Sequence, residues 1–160
     1  MFGFGKKKEL VIQAPVAGAV KPVSDLQDET FSNNILGPGI AIEPAKGRVV
    51  APMDGEIRLM FETGHALSMA ADNGAELLIH VGIDTVKLKG KHFTKIKNTG
   101  DTVKAGDVLL EFDPAAIHME GYDPVAVVVL LNPDEFSGVR FTQSTAVAEG
   151  DTLLYIQPNR

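Results

Sequence analysis

The chain has 160 residues, with 15 Lys and Arg against 21 Asp and Glu, four histidines and no cysteine. That length is about one domain, and the missing cysteine excludes disulfides, thiol nucleophiles, iron–sulfur clusters and cysteine-ligated zinc. The net charge of −6 argues against a nucleic-acid binder, and the longest apolar run, Val125 to Leu131, is far short of the roughly 20 residues of a membrane span.

Residues 1–8 (MFGFGKKK) carry lysines with no apolar stretch behind them. This is not an export signal, and a cytoplasmic location is expected. The segment reads as a mobile tail. Phe2, Phe4 and Lys6–Lys8 are too few for stable membrane insertion. Residues 9–160 read as a single all-β domain. Short apolar runs alternate with turn signals, predicting strands over Leu10–Ala14, Ala17–Pro22, Gly39–Glu43, Arg48–Ala51, Gly55–Glu62, Ala66–Ala70, Glu76–Val81, His92–Ile96, Val108–Asp113, Val125–Leu131 and Leu153–Ile156. Few helical turns are expected: one within Ser24–Leu36, another over Asp113–Glu120 with Asp113 as N-cap and Pro114 at the first position. The stretch Lys87–Lys97 holds five lysines and no acid, at positions 87, 89, 91, 95 and 97. A strand would set them on one face, most simply a solvated one.

Two echoes point to a duplicated β-motif. Ala14-Pro15-Val16-Ala17-Gly18-Ala19-Val20 parallels Ala51-Pro52-Met53-Asp54-Gly55-Glu56-Ile57. Val103-Lys104-Ala105-Gly106-Asp107-Val108 parallels Val147-Ala148-Glu149-Gly150-Asp151-Thr152. Each is a glycine turn feeding an apolar strand, and two copies are too few for a solenoid.

The chemistry concentrates in two runs. In Glu76–Val86, alternation sends Leu77, Ile79, Val81 and Ile83 one way and Leu78, His80, Gly82 and Asp84 the other. An imidazole among apolar neighbours has its charged form disfavoured, and a neutral imidazole is a usable nucleophile. A histidine simply satisfied inside the barrel remains the alternative. In Phe61–Met69, Thr63 and His65 share a parity, so the hydroxyl can fix the ring's tautomer. Antiparallel neighbours would bring His65 and His80 together. Two histidines make a weak zinc site without a third ligand, so only adventitious zinc is expected there. His92 and His118 read as solvent-facing, without a role.

Further landmarks are Ala14-Pro15, Gly37-Pro38-Gly39-Ile40-Ala41-Ile42-Glu43-Pro44, Val50-Ala51-Pro52-Met53-Asp54-Gly55, Thr63-Gly64-His65-Ala66 and His80-Val81-Gly82-Ile83-Asp84-Thr85-Val86. With these, the chain resembles the glucose-type IIA components of the bacterial phosphoenolpyruvate-dependent sugar phosphotransferase system over nearly its whole length. The resemblance implies a β-sandwich, or barrel–sandwich hybrid, built from a duplicated motif, and a phosphocarrier that is a phosphotransferase component. It implies that His80 Nε2 takes a phosphoryl group from the phosphohistidine of HPr and passes it to a cysteine of the IIB domain of a sugar permease, with no cofactor.

By the same resemblance His65 donates a hydrogen bond to the phosphoryl oxygens, Thr63 orients His65, and the Gly82 carbonyl holds the His80 Nδ1 proton. The implied partner-binding rim is Asp28, Phe31, Ile35, Leu36, Phe61, Leu78, Asp84 and Val86, its acids meeting an arginine of HPr or IIB. Glu29 and Thr30 replace small aliphatics, Leu78 replaces an aromatic and Asn33 a glutamate, which bears on partner preference. Met1–Glu9 is too short for the amphipathic N-terminal helix of some relatives. The expected protein is a monomer, and its initial methionine favours a free-standing chain over a domain of a fused permease.

Three alternatives compete. A LytM-type zinc peptidase lacks its third ligand and export signal here. A biotinyl- or lipoyl-like carrier domain lacks its hairpin-tip lysine. A regulatory protein that docks through the same apolar face is compatible with the phosphocarrier.

Overall fold

Period-two alternation of apolar residues, cut by glycine turns, produces fourteen strands in the computed structural model, which describes residues 9–159. The expected tail over residues 1–8 lies outside the described residues. In chain order come β1 (Leu10–Gln13), β2 (Gly18–Pro22), a 3-10 turn (Val23–Asp25) and the short helix α1 (Glu29–Ser32). Next are β3 (Gly39–Pro44), β4 (Arg48–Val50), β5 (Gly55–Met60), β6 (Ala66–Ala71) and β7 (Glu76–Val81). A 3-10 turn (Thr85–Leu88), β8 (Phe93–Lys95), β9 (Thr102–Val103) and β10 (Val108–Phe112) follow. The chain ends with α2 (Pro114–Met119), β11 (Ala126–Leu130), a 3-10 turn (Pro133–Glu135), β12 (Phe136–Phe141), β13 (Ala146–Val147) and β14 (Thr152–Pro158).

All pairings among these strands are antiparallel. An eight-stranded sheet runs β13-β2-β3-β11-β7-β6-β5-β9, flanked by β1-β14-β12 and β4-β10-β8. The fold is the expected all-β sandwich with few helical turns. The duplication is visible in its hydrogen bonds. Ala14 N–H donates to Asp151 O while Ala51 N–H donates to Asp107 O. Gly150 N–H returns to Ala14 O, and Gly106 N–H to Ala51 O. In both turns the aspartate carboxylate accepts from the backbone three residues back, at Ala148 and Lys104. Gly106 and Gly150 share φ values of 93° and 91°, a conformation glycine adopts without steric cost. The sheet order is itself near-symmetric about β11 and β7.

One sheet position governs the site. Ala126, Val128 and Leu130 of β11 join the main core, while Val125, Val127 and Val129 join a second cluster with Val23, Phe31 and Ala41. Both faces of β11 are therefore buried, which is why its sequence is continuously apolar. The segment over residues 23–36 covers the second face. Asp28 caps α1, accepting from the N–H groups of Thr30 and Phe31 at 2.9 and 3.3 Å, and the cap aims Phe31 inward.

Three strands escape the sequence pattern. β9 and β13 have two residues each, and β12 contains Gly138 and an irregular register against β14. The Asp113 cap of α2 forms as expected, accepting from Ala116 N–H at 3.0 Å with Pro114 at the start of the helix.

The lysine stretch is not one strand face. Lys87 lies in the 3-10 turn, only Lys95 lies in β8, and Lys89, Gly90 and His92 all have positive φ. The alternation argument holds only for extended backbone, and here the chain reverses. His92 also departs from expectation. It is half-buried, with Nε2 2.8 Å from Glu120 Oε2, fastening the start of β8 to the end of α2. His118 is exposed.

Candidate functional site

β6 and β7 pair so that Ala66 faces His80. His65 immediately precedes β6, and its carbonyl accepts from Val81 N–H at 2.7 Å, extending the ladder by one residue. The two imidazoles thus meet edge to face, with ring centroids 4.9 Å apart and planes at 85°. Phe31 packs on His80 at 5.1 Å. Phe61 and Phe93 pack on His65 at 5.5 and 6.4 Å. His65 is only 3% exposed.

Burial sets the protonation of both rings. It pushes His65 down to about 4, helped by the neighbouring His80. It also lowers His80, while the Gly82 carbonyl and the Asp28 and Asp84 carboxylates pull weakly the other way. Both are neutral near pH 7.

Each neutral ring keeps one proton. Thr63 Oγ1 is hydrogen-bonded to His65 Nδ1. With Thr63 donating, the His65 proton sits on Nε2. His80 Nδ1 is buried and makes no hydrogen bond of ordinary geometry. The expected full hydrogen bond to Gly82 is therefore not closed here, although that carbonyl is near enough to favour a proton on the ring. A proton on Nδ1 leaves Nε2 as the free lone pair. A neutral imidazole with a proton on one nitrogen offers a lone pair on the other, so a ring pair of this kind can present one donor and one acceptor.

The turn after β7 departs from simple alternation. Leu77, Ile79 and Val81 join the main core, but Ile83 packs with Leu78 in the second cluster. Gly82, at φ 86°, swings the chain over. A side chain there would collide with Thr85. Thr85 is fully buried and its hydroxyl donates to Val81 O. It locks the turn that carries the Gly82 carbonyl, a role the sequence reading missed. The signal available was a threonine inside an otherwise apolar segment, which needs a partner when buried.

Leu78 lies two residues before His80 on the same face and is half-buried. Asp84, at φ 59°, opens the 3-10 turn. Val86 is 51% exposed, and Ile35 and Leu36, after α1, are 67% and 42% exposed. Among the described residues no group of three His, Cys, Asp or Glu side chains is placed to hold a metal ion, and no helix is long and apolar enough to cross a membrane.

The depressed histidines make stability pH-dependent in a defined direction. Unfolded histidine titrates near 6.5, and folded His65 at about 4. Between those values the unfolded chain binds more protons, so stability present above pH 6.5 is lost as pH falls toward 4. Urea unfolding followed across this window will show a stability advantage of wild type over His65→Gln that shrinks with falling pH. Parallel curves would show that His65 is not held neutral.

Residues 10–136 match the model of the family described as "phosphoenolpyruvate-dependent sugar phosphotransferase system, EIIA 1". The chain is 39% identical over 147 residues to a PTS system glucose-specific EIIA component of Oceanobacillus iheyensis, covering 92% of this chain and 89% of that one. It is 44% identical over 135 residues to a PTS system beta-glucoside-specific EIIBCA component of Dickeya chrysanthemi, spanning 84% of this chain but 21% of that longer protein. Its fold matches the glucose permease IIA from Mycoplasma capricolum with a TM-score of 0.87 at 28% identity, over 97% of this chain and 99% of that one.

Proposed function

The chain belongs to the EIIA 1 family of the phosphoenolpyruvate-dependent sugar phosphotransferase system, and from that premise we propose that His80 is its phosphoryl-accepting residue and His65 the group that stabilises the transfer. The protein is a phosphocarrier of the glucose type and a component of a phosphotransferase. The observation that carries the site assignment is the paired imidazoles 4.9 Å apart, His80 with its Nδ1 buried and His65 with its Nδ1 bonded to Thr63.

In this reading the His80 Nε2 lone pair attacks the phosphorus of phospho-HPr. The donor's P–N bond breaks, its electron pair returns to the donor ring, and a P–Nε2 bond forms. Onward transfer reverses the roles. A IIB cysteine thiolate attacks, an S–P bond forms, and the electron pair of the broken P–N bond returns to His80. Exchange between such partners needs positioning and charge stabilisation rather than a further reactant, and no cofactor enters the scheme. The His65 Nε2–H faces the oxygens where negative charge gathers. Phe31, Phe61 and Leu78 keep water from the phosphohistidine. Asp28 and Asp84 supply carboxylates for a partner arginine, and exposed Ile35, Leu36 and Val86 supply apolar contact. The protein would act in the cytoplasm, as one domain over residues 9–160 and as a monomer. The same exposed face suits regulatory docking of the unphosphorylated form.

The test is labelling with phosphoenolpyruvate, Enzyme I and HPr. One acid-labile phosphate per chain is expected, mapping to the peptide that contains His80; a label elsewhere overturns the assignment.

Thr85 acts as a positioning residue in this scheme. Thr85→Val keeps the shape but leaves the Val81 carbonyl without its donor, at a cost of about 1–3 kcal/mol. The loosened turn is expected to slow acceptance by about tenfold to 10²-fold, with Thr85→Ser restoring it. Ring ¹⁵N shifts of His80 report the tautomer directly. A variant that loses stability yet keeps both tautomer and rate would leave Thr85 with a purely structural role.

A further inference from the structure

Asp28 and Phe31 reach the site on one segment, residues 23–36, and a single oxygen joins them. Asp28 stands at the N-cap of α1 with φ −143° and ψ 111°, the extended backbone of a capping residue. Its Oδ1 accepts both cap hydrogen bonds, from Thr30 N–H at 2.9 Å and Phe31 N–H at 3.3 Å. Oδ2 takes no part in the cap. The Phe31 ring then lies on the His80 imidazole, with centroids 5.1 Å apart and planes at 59°, and is 6% exposed. α1 has four residues, too few to hold on helix propensity, and Phe31 is its one buried side chain. Nor is the segment braced from every side. A cavity of about 420 Å³ opens between it and β2–β3, with Ser32, Asn34, Val20 and Ile40 in its walls. The cap is thus the local contact that fixes where Phe31 points.

A phosphohistidine faces one competing reaction. A water oxygen bonds to phosphorus, the P–Nε2 bond breaks, and its electron pair returns to the ring. The phosphate leaves with the water's two protons as dihydrogen phosphate, which then ionises in solvent. The rate depends on how often water reaches the phosphorus, and so on how firmly the neighbouring apolar ring is held. We propose that Asp28 is a positioning residue: through its Oδ1 cap it holds Phe31 on His80, and that cap sets how long the phosphohistidine survives between partners. This rests on the phosphocarrier reading of His80 and adds what preserves its phosphoryl group. The role belongs to one oxygen and not to the charge. A carboxylate, an amide and a hydroxyl all present that oxygen to α1, which is why Asp, Asn and Ser are comparable N-caps and alanine is a poor one. Oδ2 stays free of the cap, so Asp28 serves the waiting state and the encounter with a partner through different atoms.

The test is the decay of the phosphorylated full chain at neutral pH, labelled to completion and then freed of Enzyme I and HPr so that no partner contact enters. Asp28→Asn and Asp28→Ser should decay at close to the wild-type rate. Asp28→Ala should decay about fivefold faster, the equivalent of about 1 kcal/mol for a lost cap. In a Phe31→Ala background the same Asp28→Ala change should alter decay by less than about twofold, because residues acting through one contact are not additive. The unphosphorylated chain gives a second reading. The ring-current shift that Phe31 imposes on the His80 ring protons should persist in the Asn and Ser variants and shrink in the Ala variant. Asn and Ser variants that decay as fast as the Ala variant overturn the proposal, assigning the lifetime to charge. An Ala effect that persists without Phe31 overturns it too, as does an unchanged ring-current shift in the Ala variant. A wild type that takes no phosphate overturns the phosphocarrier reading and the lifetime role with it. A labelled wild type with an equally long-lived Ala variant removes only the role of the cap.

Discussion

His80→Ala will take up no phosphate from phospho-HPr above background, while unfolding at nearly the same denaturant concentration as wild type. Of the two paired imidazoles, the substitution removes the one whose Nε2 the proposed scheme leaves as a free lone pair. In the proposed scheme its neighbour is committed otherwise: His65 Nδ1 is bonded to Thr63, and with the hydroxyl donating, the His65 proton occupies Nε2, where a protonated nitrogen is no nucleophile. Burial adds a second reason, since it keeps the His80 ring neutral near pH 7 and ready to attack without first losing a proton. The fold should tolerate the change. His80 is half-buried at the border of the smaller cluster, and its main-chain pairing with Ala66 and Val127 does not depend on the ring. Removing His80 also frees its neighbours of a ring with an unpartnered buried nitrogen, which offsets part of the lost packing against Phe31. Mass spectrometry of the intact chain after incubation reads the outcome. Labelling of the variant at the wild-type level would mean that another residue is the acceptor.

His65→Gln separates accepting from passing on. With saturating phospho-donor, the end-point of labelling should remain near one phosphate per chain, because His80 is intact. The rate of onward transfer to IIB should fall by about 10²–10³-fold, the loss typical of removing one hydrogen-bond donor aimed at developing charge. Glutamine retains N–H donors, but it cannot reproduce the arrangement. The imidazole is held at 85° to His80, fixed at Nδ1 by Thr63 and wedged between Phe61 and Phe93. A flexible amide spends entropy to reach the same place. Stopped-flow transfer with an excess of IIB measures the rate, and a wild-type rate in this variant would remove His65 from the mechanism.

Much of this site is legible along the chain because strands have a period of two. His80 and Leu78 share a face by parity, whereas Thr63 reaches His65 through a turn in which Gly64 has a φ of 75°, so there parity names the right pair for the wrong geometry. The fourteen residues between the histidines suit a strand, a turn and a return strand, which is how β6 and β7 run. Alternation fails where the backbone is not extended. Gly82 moves Ile83 from the expected core face to the second cluster, and the reversal around Lys89–His92 takes the lysines off any common strand. Thr85 is invisible to patterning because its importance lies in being wholly buried with one hydrogen bond, a fact of packing.

By itself, then, the sequence determined the all-β class, the duplicated turns and a candidate histidine pair, since these depend on local alternation, glycine turns and short motifs. Only the tertiary structure decided that β11 is covered on both faces, that His92 is tied to Glu120, and that the lysine segment wraps against the Thr63–His65 turn. Each of these depends on segments far apart in the chain meeting in space. Local propensity carries no information about such meetings; they are fixed by which faces of the sheet find something apolar to bury against.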